Sequence, residues 1–240
     1  MNTQKLPTIS FVILVVSIFF ISSTGKIDDN CRAYFPMEKG STFEITHFSA
    51  KDKKMSKVAY EVLDKIESGS SVTSTIKMTS FDKKDQKGMD GEFQVKCENG
   101  IFKMDMRSVM SGAQMQQFEG MEDMDIEVNS EDLELPSNMN IGDQLKDGSL
   151  TITVSGGAMT MFNSTTDITN RKVEAIETVT TSAGTFECYV ISSNINSKMG
   201  FVKMQLTSKD WIAEGVGMVR QESYKNGKLQ GYSELTVLNR

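Results

Sequence analysis

The chain has 240 residues, 26 basic and 32 acidic side chains, one histidine and a formal net charge of −6. An acidic chain with scattered lysines has no electrostatic footprint for a phosphate backbone, which excludes nucleic acid as a partner. A single histidine excludes a histidine-rich metal site, and no Gly-x-Ser-x-Gly, His-Glu-x-x-His or Walker-type signature supplies a catalytic framework.

Lys5, the apolar run Ile9 to Ile21 and the small residues Ser22, Ser23, Thr24 and Gly25 read as a signal peptide, residues 1–25, cleaved near Gly25. The run falls short of the roughly 20 apolar residues a comfortable span needs, so an uncleaved anchor is the weaker reading. Cys31 follows Asp29 and Asn30 where a lipoprotein signal would place small residues, which argues against lipidation. Lys5 is the only charge removed, so the mature chain carries 25 basic and 32 acidic residues, a net of −7. The expected product is one exported domain, 26–240, in the periplasm or at the cell surface, with no membrane span after cleavage.

From there, period-two alternation dominates, the pattern of strands with one covered face. Val72, Ser74, Ile76 and Met78 alternate with Thr73, Thr75, Lys77 and Thr79. Phe102, Met104 and Met106 follow the same rule, as do Met124, Ile126 and Val128, then Leu150, Ile152 and Val154, and Val202, Met204 and Leu206. Asn99-Gly100 and Asn226-Gly227 are type I′ hairpin turns by composition, because both central residues must take positive φ. The charged stretches Lys51 to Lys54 and Asp82 to Lys87 read as solvated hairpin tips. Ser108 to Gly120 lacks alternation, but Val109, Met110, Ala113 and Phe118 could line one face of a short helix. Leu135-Pro136 forbids a central strand there, making 134–142 a candidate connector between two sheet halves. Gly156-Gly157 marks a bulge or bend, and Asn163-Ser164-Thr165 matches a glycosylation sequon or an unmodified turn. The predicted fold is all-β, a strongly curved antiparallel sheet of roughly a dozen strands with one short helix.

Candidate chemistry is sparse. His47 lies in the strand-like segment Phe43 to Phe48, where a local hydrogen bond is the expected role and not general-base catalysis. The acidic stretch Glu119 to Glu134 alternates with apolar residues and lacks an EF-hand loop, so it reads as a solvated face. Export permits a disulfide among Cys31, Cys97 and Cys188; the odd count leaves one thiol over, and spacing does not choose the pair. Three buried, reduced cysteines are the alternative. The chain has 17 methionines, whose flexible side chains suit either ordinary core packing or an adaptable apolar groove.

Five segments carry a family resemblance. They are Cys31 to Gly40, Glu134 to Leu145, Ile168 to Glu174, Ala183 to Tyr189 and Trp211 to Arg220, in that order. Together they resemble the TapB-like family of uncharacterised bacterial exported proteins. The resemblance implies an open half-barrel similar to lipoprotein carriers, with no established activity, no cofactor and no catalytic residues. Ser182 stands where that family often has proline before Ala183-Gly184-Thr185-Phe186. Read from the residues alone, Gly215 and Gly217 suggest a bend where another backbone comes close, and Trp211 a packing anchor at the sheet edge.

The leading expectation is a non-catalytic binding module. Its concave apolar face, lined by Phe102, Met104, Met106, Met159, Met161, Val202, Met204 and Leu206, would hold a lipid-like or other hydrophobic small molecule. The rival is a structural or interaction domain with an envelope protein partner and an interior plugged by Ser108 to Gly120. A hydrolase acting through scattered carboxylates is a third reading.

Overall fold

The structure is a computed structural model and describes residues 33–104, 125–156 and 159–240. The signal-peptide segment, Cys31, Met106, Gly157 and the helix expected over Ser108 to Gly120 lie outside the described residues.

Thirteen strands follow in chain order: β1 (Thr42–Ser49), β2 (Lys54–Ser68), β3 (Ser71–Asp82), β4 (Lys87–Glu98), β5 (Ile101–Met104), β6 (Asp125–Glu131) and β7 (Leu133–Pro136). Then come β8 (Gly148–Gly156), β9 (Met159–Thr181), β10 (Gly184–Met199), β11 (Val202–Ala213), β12 (Gly217–Lys225) and β13 (Lys228–Asn239). No helix occurs among the described residues. All strands belong to one antiparallel sheet, ordered β6-β8-β9-β10-β11-β12-β13-β1-β2-β3-β4-β5-β7.

The turns form as their composition requires. Asn99 and Gly100 have φ of 52° and 75°, and Asn226 and Gly227 have 51° and 73°, the two left-handed residues of a type I′ hairpin. The charged tips Lys51 to Lys54 and Asp82 to Lys87 join β1 to β2 and β3 to β4, and Lys54 Nζ meets the Asp85 carboxylate at 2.5 Å between them.

The two ends of the strand order, β6 and β7, are separated in sequence only by Asp132. Half of this segment pairs with β8, from Asp125 opposite Ser155 to Glu131 opposite Ser149, and the other half with β5, from Leu133 opposite Met104 to Pro136 opposite Ile101. A walk across thirteen strands therefore returns to the stretch it started from. The curved sheet curls further than an open half-barrel, into a nearly closed barrel. Such closure removes most of the exposed sheet edge that would invite aggregation.

Residues 134–142 thus stitch the sheet where a connector between halves was expected. Pro136 is tolerated because it ends its strand at the limit of the strand order. Trp211 is buried in the middle of that order and not at an edge. Gly156 closes β8 beside a register shift at Val154/Ser155, the expected bulge, and Asn163 of the sequon lies within β9 and not in a turn.

Long strands carry two separate cores. The larger gathers Phe43, Ile45, Val62, Ile76, Val95, Cys97, Phe102, Leu135, Val190, Val219 and Leu235 from both ends of the sheet. The smaller consists of Leu150, Ile152 and Val154, with Val128, Leu133, Phe162 and Ile168 against them. Between the two, β9 bends at Asn170, which has φ of 54°, and a register shift falls opposite Ser193.

Candidate functional site: a plugged barrel with a polar interior belt

The segment before β1 enters the barrel. Ala33-Tyr34-Phe35-Pro36-Met37 is a run of five apolar residues with no turn to solvent, and Tyr34, Phe35 and Met37 are all buried in the larger core. The Phe35 ring lies 5.0 Å from that of Phe43, 6.1 Å from Phe93 and 6.3 Å from both Tyr60 and Phe102, centroid to centroid. Most of these are edge-to-face, the arrangement ring quadrupoles favour. The Tyr60 hydroxyl is pushed up to about 12 by this burial. Backbone polar groups of the entering segment are satisfied by the wall. Gly215 N–H donates to the Ala33 carbonyl at 2.6 Å, and Ser74 Oγ donates to that of Met37 at 3.1 Å. The Tyr34 hydroxyl donates to the Pro136 carbonyl at 3.3 Å.

Gly217 shows why a glycine stands opposite this segment. Its φ is 89°, and a Cβ there would meet the Tyr34 carbonyl oxygen at 3.2 Å and the Phe35 Cα at 3.6 Å. The bend read from Gly215 and Gly217 is therefore real, and the approaching backbone is the plug.

Cys97 is disulfide-bonded and fully buried beside Phe102, its partner across β4 and β5. Cys188 is a free, buried thiol, and burial, reinforced by Glu177 and Glu187, pushes it up to about 11. Such a thiol is protonated and inert at neutral pH. A soluble thiol reagent is expected to leave Cys188 unmodified until the protein unfolds, while non-reducing peptide mapping recovers Cys97 as a cystine. Rapid labelling of Cys188 in the folded protein would contradict its placement.

Above the larger core, the interior turns polar. Val219 is followed two residues on by Gln221, Leu235 is preceded by Ser233 and Ile45 is followed by His47, so each polar side chain shares the inner face of its strand with a buried apolar one. Cross-strand register aligns Asp210, Gln221, Ser233 and His47 on β11, β12, β13 and β1, with Ser193, Ser208 and Ser223 as a second row. Gln221 Nε2 and Ser208 Oγ donate to Asp210 Oδ1 at 2.7 and 2.9 Å, and His47 Nδ1 lies 2.7 Å from Ser233 Oγ. No buried side-chain polar atom among the described residues lacks a hydrogen-bond partner. His47 has the local strand hydrogen bond expected of it.

Burial acts on this belt with opposite signs. It pulls the His47 imidazole below its ordinary 6.5, so the unfolded chain takes up the proton first and stability falls as pH drops below 6.5. Burial pushes the Asp210 carboxyl above its ordinary 3.8, only partly offset by Gln221, Ser208 and Arg171. Stability from this group is therefore full below 3.8 and declines as pH rises through the raised value. Asp210→Asn keeps the acceptor for Gln221 and removes the buried charge. The variant is expected to raise the urea midpoint at neutral pH and to match the parent below pH 3.8. A midpoint lowered equally at both pH values would contradict this assignment.

The predicted apolar binding face is not gathered around one cavity. Phe102 is consumed in the larger core with Met104 against it, and Met106 lies outside the described residues. Met159, Met161, Val202 and Met204 are exposed, Val202 at 70%, and Leu206 is half-buried. The alternation of β11 is real, but its inner face becomes buried only from Ser208 to Ala213, because the strand outruns the core. A cleft of about 400 Å³ does open beside β10 and β11, and its walls include Asn170, Ser193, Asn194, Thr207 and Tyr224. None of the predicted apolar-face residues lines it. No group of three or more potential metal-ligating side chains occurs among the described residues.

The fold and its interior define a class: single-sheet antiparallel β-barrels closed by a split strand and filled by their own chain. The chain belongs to the DUF3108-like family, whose model matches residues 38–235. It is similar in structure to a candidate exported protein with a YmcC-like fold from Bacteroides fragilis, with a TM-score of 0.70 and 24% identity. That match covers 88% of this chain and 100% of the other. A candidate lipoprotein from Parabacteroides distasonis matches with a TM-score of 0.70 and 21% identity, over 87% of this chain and 99% of that one. No curated protein matches the chain.

Proposed function

We propose that this is an exported, non-catalytic envelope protein that works through its outer surface as a structural or interaction domain, not as a carrier of hydrophobic molecules. The observation that supports this most is the seat of Phe35 among Phe43, Tyr60, Phe93 and Phe102. A carrier needs its apolar interior free for cargo, and here the larger core is filled by residues 33–37 of the same chain. Export is supported by the signal-like residues 1–25, by a cystine at Cys97 and by the names of the two structural neighbours. Residues 33–37 supply a filled interior of the kind the interaction reading assumed; Ser108 to Gly120, the segment first expected to supply it, lies outside the described residues.

Native mass spectrometry of the protein purified from its own envelope tests this. The expected result is a mass of the mature chain alone, beginning near residue 26, and no fluorescence gain from an apolar probe in the folded state. A co-purified lipid, released only on unfolding, would overturn the proposal in favour of carriage.

A further inference from the structure

The hairpin joining β10 to β11 is unlike the rest of the molecule. Its turn residue Phe201 is fully exposed, and Met199 and Val202 pair across it with both side chains in solvent. Met204 continues the same face, and the neighbouring β8–β9 hairpin ends with the exposed Met159 and Met161. Gly200 N–H donates to the Asn163 carbonyl at 3.1 Å, which ties the hairpin to β9 and fixes its direction. On the opposite face, Lys198 and Lys203 lie directly across from one another, both exposed and neither ion-paired among the described residues. Like charges in that position repel, so the pair lowers stability unless an anion sits against it.

The charge pattern around the tip is equally one-sided. Residues 148–166 carry no charged side chain, and between Glu187 and Asp210 the only charges are Lys198, Lys203 and Lys209. In a chain of net −6 this end presents lysines alone on its two central strands. The nearest acidic side chain by register is Asp167 of β9, opposite Asn196 and so two residues toward the barrel from Lys198, about 8 Å away at the usual strand spacing and rise. Beyond Asp167, toward the tip, β8 to β11 carry no acidic residue, so the lysines are the only charges there.

We propose that the Lys198–Lys203 hairpin is a docking element for an anionic lipid surface, with Phe201, Met199 and Val202 entering the headgroup boundary. Each lysine lies two or three residues from Phe201, or about 7–10 Å along an extended strand, close to the roughly 5–10 Å depth of interfacial insertion. With the aromatic tip seated, the ammonium groups reach the phosphate level, where each contributes attraction to an anionic leaflet. This deepens the reading that the outer surface is the working part.

The test is co-sedimentation of the full mature protein with vesicles of equimolar phosphatidylcholine and phosphatidylglycerol, against phosphatidylcholine alone. The parent is expected to pellet with the anionic vesicles and to release as salt rises from about 0.1 to about 1 M, where screening shortens to about 3 Å. Phe201→Ser and the double variant Lys198→Glu/Lys203→Glu should each weaken binding by roughly tenfold or more while leaving the urea midpoint unchanged, since both sites are exposed. Binding equal in parent and variants overturns the proposal. So does pelleting without vesicles, the mark of a second copy on the tip. Lipid retained in the barrel would sink the plugged-interior reading alone, because it does not involve the hairpin.

Discussion

Phe35→Ala is expected to remove about 3–5 kcal/mol of unfolding free energy, the range for deleting a buried aromatic ring that its surroundings cannot replace. The four rings around Phe35 come from β1, β2, β4 and β5. Collapse onto the vacated space would require walls hydrogen-bonded to one another to move inward together. Against typical domain stabilities of about 5–15 kcal/mol, this single substitution takes a large share. Urea denaturation followed by the fluorescence of Trp211, the one tryptophan, reads it directly. The same variant should admit an apolar probe that the parent excludes, because the ring is what fills the centre. Phe201→Ala is the control: it removes the same atoms from solvent and should change stability by less than about 0.5 kcal/mol. A loss below about 1 kcal/mol in the Phe35 variant would mean that residues 33–37 lie on the barrel and do not hold it.

What could be read from the sequence was what is local. Alternation over Val72 to Thr79 and over Leu150 to Val154 reports side chains two residues apart on one strand, so β3 and β8 were legible. The Asn-Gly turns were legible because their backbone requirement lies within two residues. The plug was not, because it consists of contacts between residues 33–37 and strands up to about 180 positions away. Alternation has nothing to say about a segment that belongs to no strand. Two signals pointed to it without naming it: five consecutive apolar residues ahead of the first alternating strand, and the spacing of Gly215 and Gly217. Periodicity also gives the face of a strand but not how much of that face is covered. Val202 and Ser208 share a face of β11, yet one is exposed and the other buried, because coverage depends on where the opposing wall ends. For that reason the positions expected to form one apolar face are divided between the buried core at Phe102 and exposed strand ends at Met159, Met161, Val202 and Met204.

The second large effect is expected at Arg171, which holds the split strand shut. Its guanidinium is buried, and Nη1 donates both of its hydrogens to carbonyls on other elements, Glu134 of β7 at 3.1 Å and Lys146 before β8 at 2.5 Å. Around it, β9 exchanges backbone bonds with the intervening chain: Gly142 N–H to Val173, Leu145 N–H to Arg171 and Val173 N–H to Asp143. Burial pulls the guanidinium below its ordinary value, opposed first by the attraction of Asp210 and then by Asp147 and Glu134. Even so it stays charged at neutral pH. Arg171→Met keeps an unbranched apolar stem but leaves two inward carbonyls without a donor and Asp210 without its cation. With roughly 1–3 kcal/mol for each stranded buried group, a loss of about 2–4 kcal/mol is expected. Arg171→Lys should recover only part of it, since its ammonium sits on a shorter stem and lacks the fixed guanidinium plane that aims both Nη1 hydrogens at the carbonyls. Hydrogen exchange separates this from general weakening. The amides of Gly142, Leu145 and Val173 should lose protection first, while those of β1 and β2, on the far side of the sheet order, keep it. Uniform loss across all strands would place Arg171 among ordinary core residues and leave the closure to the β5–β7 and β6–β8 ladders alone.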